Sequence, residues 1–102
     1  MTTIEGKWAQ VEGQPYPGLW FKFEKNGNFC AEFDEMGIVS SGTYSIAGDL
    51  IDIDQKEHNY DVIGLFEGVF CIEGETLKLA LNQPGQSRET DFKKARIYER
   101  IV

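Results

Sequence analysis

Side chains in this chain change character every second residue, and they do so in segment after segment. Leu19, Phe21 and Phe23 stand between Trp20, Lys22 and Glu24. Past Asn26-Gly27 the alternation resumes, with Phe29, Ala31 and Phe33 set against Cys30 and Glu32. A period of two belongs to a strand that buries one face, because successive side chains leave a pleated backbone on opposite sides. No segment carries a convincing helical stripe; the best candidate, residues 89–95, is one or two turns at most.

Turn residues punctuate the alternation. Asn26-Gly27 between two such runs is a strong hairpin signal, since both residues tolerate the positive φ of a tight reverse turn. Lys25 is a further candidate for the same bend, which leaves the turn type open. Downstream, Tyr44 and Ile46 lead into Ala47-Gly48-Asp49 and then Leu50-Ile51-Asp52-Ile53, with Ile51 and Ile53 on one face. Phe70 and Ile72 lead into Glu73-Gly74-Glu75, then Leu77, Leu79 and Leu81 against Lys78 and Ala80. Strands near 7–11 and 95–101 bracket the set, and Pro15, Pro17, Gly18, Pro84 and Gly85 mark loops.

An open sheet of this size exposes two edges of unpaired N–H and C=O groups. Closure removes both, and about eight strands enclose an interior that side chains nearly fill. The expectation is all-β: an up-and-down antiparallel meander of about eight strands closing into a small barrel, one domain over residues 1–102. A half-open sheet or a sandwich is the alternative.

Charge narrows the function classes. Seventeen acidic residues against ten basic ones give a net charge of −7, the opposite of the footprint that tracks phosphates or anionic lipid. The expectation is no nucleic-acid partner and no membrane partner. The start, Met1-Thr2-Thr3-Ile4-Glu5-Gly6, has neither the basic nor the apolar stretch of a secretory leader. The most apolar segment, 62–72, is interrupted by Gly64, Glu67 and Gly68, far short of the roughly 20 residues of a membrane helix. A cytoplasmic location is expected, with Cys30 and Cys71 as unpaired thiols.

Chemistry-bearing motifs are absent from the pattern. Asp49, Asp52, Asp54, Glu57 and Asp61 with the lone His58 alternate along a strand instead of circling a turn, so no metal site is expected. Glu67 and Glu73 have apolar neighbours but no second group to work with. There is no nucleophile elbow or phosphate-cradling loop. The expectation is a non-enzyme with no cofactor.

Several blocks resemble the small lipocalin-like domains of unknown function first grouped in planctomycete proteomes. They are Ile4-Glu5-Gly6-Lys7-Trp8, Phe23-x-x-Asn26-Gly27-x-Phe29 and Gly42-Thr43-Tyr44-Ser45-Ile46. The most specific is Gly68-Val69-Phe70-Cys71-Ile72-Glu73-Gly74-Glu75-Thr76-Leu77-Lys78-Leu79, followed by Pro84-Gly85 and Arg88-Glu89-Thr90-Asp91-Phe92. The resemblance spans nearly the whole chain and implies a lipocalin-like barrel. It brings no activity and no catalytic residues. Glu89 stands where that pattern usually has proline, and the leader or lipid-anchor segment typical of it is missing. Gly6-x-Trp8 is similar to the lipocalin opening motif, which implies that Trp8 plugs one end of the barrel under Arg96 or Arg100.

Two functional readings follow. In the leading one, Trp8, Phe21, Phe23, Phe29, Tyr44, Phe66 and Phe70 are candidate interior residues around a small apolar ligand. Trp20 and Phe33 belong to the same aromatic set, which serves equally well as a filled core. In the alternative, segment 62–72 turns Phe66, Phe70 and Ile72 inward and Ile63, Leu65, Val69 and Cys71 outward. Ile63, Leu65 and Val69 then form the apolar stripe of a protein-interaction or inhibitor module, a homodimer being the simplest case.

Overall fold

The computed structural model describes residues 4–101; the opening Met1-Thr2-Thr3, part of the segment read for a leader, lies outside them. Eight strands follow one another in chain order: β1 (Gly6–Gln10), β2 (Trp20–Phe23), β3 (Asn28–Phe33), β4 (Ile38–Ala47), β5 (Leu50–His58), β6 (Gly64–Glu73), β7 (Thr76–Asn82) and β8 (Arg96–Ile101). Each pairs antiparallel with the next, and β8 returns to β1, so the meander closes into a barrel without edges. The bend between β2 and β3 takes in Lys25 as well as Asn26-Gly27, with the Glu24 N–H donating to the Asn28 carbonyl at 2.9 Å.

Helix among the described residues is one 3-10 turn, Asp34–Met36. The helical turns considered at 89–95 do not form. That segment has no apolar face to bury, and Asp91 Oδ1 accepts the backbone N–H of Lys93 at 3.1 Å. Such a local bond competes with helical pairing. No helix among the described residues is long and apolar enough to cross a membrane.

Alternation sets which side chains meet inside. Trp8, Phe23, Phe29, Ile51, Ile53, Leu77, Leu79 and Tyr98 form one buried cluster, with Phe21, Phe66, Phe70 and Ile72 packed against it. Trp8 is fully buried at the end where β1 starts. Its indole N–H donates to the Ile4 carbonyl at 2.8 Å, and the Arg100 guanidinium lies 4.1 Å from its ring centroid. Of the two arginines considered for this stack, Arg100 makes it. Arg100 also donates to the Glu5 carbonyl at 2.8 Å. Gly6 has φ +120° and a Cβ there would sit 2.6 Å from Arg100 Nη1, so the glycine of Gly6-x-Trp8 is what lets the arginine cross the barrel floor.

The register slips once. Ser41 opposes Glu57 and Gly42 opposes Gln55, which leaves Lys56 as an extra residue on β5. Ile51, Ile53 and Gln55 face inward; after the bulge it is His58, opposite Ser40, that does so instead of Glu57. Gly42 permits this approach, since a Cβ on it would fall 1.9 Å from the Asp54 carbonyl oxygen.

On the outer face the expected apolar stripe is broken. Ile63 and Leu65 are 49% and 43% exposed, but Val69 is only 5% exposed. Val69 pairs with Ala80, and both are buried outside the inner cluster. The chain between β7 and β8 lies over this face, held by Arg88. Its guanidinium donates to the carbonyls of Ile51 and Gly68 at 3.0 and 2.9 Å and pairs with the carboxylates of Asp52 and Glu67. Val69 is thus covered by the chain itself, which corrects its place in the outward stripe. Cys71 is half-buried, and Cys30 and Cys71 are separate free thiols.

Candidate ligand cavity at the barrel mouth

The end opposite Trp8 is where side chains stop filling the barrel. A cavity of about 400 Å³ opens there. Phe21, Ala31, Phe33 and Ile38 form the β2–β4 side of its wall, and Phe66 and Val62 the other. Tyr16 and Leu19 close it from above, out of the loop between β1 and β2. That loop is tied down from within: Gln10, 5% exposed, accepts the Tyr16 N–H at 3.1 Å and donates to the Tyr98 hydroxyl at 3.1 Å. Gln14 accepts the Ile97 N–H at 3.1 Å, and Tyr16 packs edge-on against Phe33 at 5.8 Å.

The rim on the far side is cross-braced. Asn59 donates to the Gly37 carbonyl at 2.6 Å and accepts the Val39 N–H at 2.9 Å. Tyr60 donates its hydroxyl hydrogen to the Met36 carbonyl at 3.1 Å. These bonds hold Met36, another wall residue, and the 59–63 loop against each other, so the opening has a set shape.

Apart from the Tyr16 phenol, the polar side chains that line the cavity come from one side. Ser40, Gln55 and His58 all lie on the β4–β5 hairpin. Ser40 donates to the Ala31 carbonyl at 3.4 Å, and Gln55 donates from Nε2 to the Val62 carbonyl. His58 accepts the Tyr60 N–H on Nδ1 at 3.0 Å. No lysine or arginine is among the lining residues. Deeper in the barrel, burial pushes the Tyr98 phenol up to about 12, against a modest lowering by its bond from Gln10. The Cys30 thiol, on the outer face of β3, is also pushed up, chiefly by burial.

The candidate interior residues separate into two groups. Phe21 and Phe66 line the cavity. Trp8, Phe23 and Phe29 are buried in the packed cluster, with Phe70 against it. Tyr44 sits edge-on to Phe23 at 4.9 Å and donates to the Glu24 carbonyl at 2.7 Å, at the plugged end. Trp20 lies outside, 4.0 Å under the Lys7 ammonium. Leu19 shares the apolar phase of Phe21 and Phe23, whereas Tyr16, Ser40, Gln55 and Val62 come from loops and polar positions that an apolar-alternation reading passes over. Their only signal in the sequence is that Ser40 and Gln55 occupy inward phases where apolar residues are the rule. His58 draws notice there as a metal ligand, yet no group of metal-binding side chains forms among the described residues. Comparison with protein-family models, curated proteins and solved structures gives no match for this chain.

Proposed function

We propose that this barrel is a lipocalin-like binding module that holds one small apolar molecule in its mouth cavity, and that it carries out no catalysis. One observation carries the reading: a cavity of about 400 Å³ walled by Phe21, Phe33, Phe66 and Val62, with Ser40, Gln55 and His58 gathered on a single hairpin. Ligand pockets have this make-up, and about 300–1,000 Å³ is their usual size. The plugged end supports it as well, because a barrel braced at one end keeps a preformed cavity at the other.

Native mass spectrometry of the purified protein, followed by titration with the neutral fluorescent probe N-phenyl-1-naphthylamine, tests the reading. The expected result is saturable binding of one probe per chain, weakened by Ala31→Leu, which adds bulk to the cavity wall. Absence of saturable binding to the folded wild-type protein overturns it.

The second reading, a homodimer or partner contact through the outer face, is favoured by the exposure of Ile63 and Leu65. With Val69 covered, that patch is two residues of the original three.

A further inference from the structure

Resting on the cavity reading above, we propose that the ligand is an uncharged apolar molecule bearing a hydroxyl, and that Gln55, Ser40 and His58 hold that hydroxyl. Gln55 is 8% exposed. Its Nε2 gives one of its two hydrogens to the Val62 carbonyl, while its Oε1 accepts from none of the described residues and keeps some exposed surface. Gln55 lines an apolar-walled cavity, so a ligand that excludes water from its carboxamide oxygen leaves that oxygen without a donor unless the ligand brings one. Ser40 turns its hydrogen toward the Ala31 carbonyl, which leaves lone pairs on Oγ. His58 accepts from Tyr60 on Nδ1, so its ring proton resides on Nε2. The hairpin thus presents two acceptors, on Gln55 and Ser40, and two donors, His58 Nε2–H and the second Gln55 N–H.

A hydroxyl meets both sides of that set at once, giving its one hydrogen to one of the acceptors and receiving from the donors on its two lone pairs. An ether lacks the hydrogen. A carboxylate has none either, and it would turn its charge toward the oxygens of Gln55 and Ser40. No lysine or arginine lines the cavity to compensate it, and the rim turn carries Asp34 and Glu35. The selection depends on the bulge at Lys56, which rotates His58 onto the same face as Gln55.

The test displaces N-phenyl-1-naphthylamine with three ligands of matched length at pH 8: octan-1-ol, 1-methoxyheptane and octanoate. The measurements use wild type, Ser40→Ala and Gln55→Met, each checked for cooperative melting. In wild type, octan-1-ol binds about tenfold tighter than the ether, as expected for one buried acceptor left unmet, and tighter still than octanoate. Both variants bring the alcohol-to-ether ratio toward one while the ether's own affinity holds. If Gln55→Met does not fold, Ser40→Ala decides alone. Equal affinity for all three ligands, a preference for octanoate, or an unchanged ratio in the folded variants overturns the hydroxyl assignment and leaves the cavity reading standing. Loss of all binding, the neutral probe included, overturns the cavity reading itself and this inference with it.

Discussion

At the end where β1 starts, Trp8, Phe23, Phe29 and Leu77 are each no more than 2% exposed, and Arg100 and Ile4 cross beneath them. At the mouth, Phe21, Phe33 and Phe66 are just as aromatic, yet they stand around a space of about 400 Å³. The rings do not explain the contrast; what occupies the axis does. At the floor a tryptophan reaches inward under an arginine. At the mouth the buried inward positions include Gln10, Ser40 and Gln55, each tethered by a hydrogen bond to a backbone or phenol partner along the wall. Polar side chains tethered along the wall leave the middle open, whereas an indole bonded to Ile4 closes it.

The comparison breaks or sharpens by substitution. Trp8→Ala should cost about 3–5 kcal/mol in urea denaturation, the range for truncating a buried large aromatic. A loss under about 1 kcal/mol would mean that the floor is not what braces the barrel. Next in size is a pH effect from Tyr98, between the two ends. Its folded pKa is pushed up to about 12 from 10.0, so the folded state holds the proton more tightly. The stabilisation is therefore complete below pH 10 and is lost as pH rises toward 12, by roughly 2–3 kcal/mol at most. Urea melts at pH 9 and pH 11.5 would show it, and Tyr98→Phe should flatten most of that difference.

Arg88→Met should cost about 1–2 kcal/mol, since it removes charged hydrogen bonds that are only half screened from water. It should also expose Val69 and speed amide exchange in β6; unaltered exchange would sever the link between Arg88 and the covered face. Smallest is Leu65→Lys. The side chain is 43% exposed, so thermal stability should hold within about 0.5 kcal/mol. If Ile63 and Leu65 form an interface, sedimentation of the wild type should show dimers at micromolar concentration and the variant only monomers. Monomers in both remove the interface reading, and unfolding of the variant would place Leu65 inside the barrel.

Much of the fold is legible residue by residue. Period-two alternation over Leu19 to Phe33 and Leu77 to Leu81, broken at Asn26-Gly27 and Gly74, is enough for strands, turns and a meander, because pleat and turn geometry act over two to four residues. The plug role of Trp8 was legible only through the likeness of Gly6-x-Trp8 to the lipocalin opening motif, and choosing Arg100 over Arg96 required the β1–β8 register. The cavity was less legible. Trp8, Phe23 and Phe29 share their phase with Phe21 and Phe66, and alternation alone has no coordinate along the barrel axis to tell floor from mouth.

Inside or outside, strand or turn, was therefore settled by local chemistry: side-chain polarity on a pleated backbone that permits two directions. Three outcomes waited for closure. The slip at Lys56 that turns His58 inward depends on Gly42 meeting the β5 backbone at Asp54, from the neighbouring strand. The covering of Val69 depends on Arg88 reaching Asp52 and Glu67 across two strands. The open mouth depends on Gln10 of β1 reaching the Tyr98 hydroxyl on β8. Each joins groups distant along the chain, and no property of either group alone specifies the distance at which the closed barrel sets them.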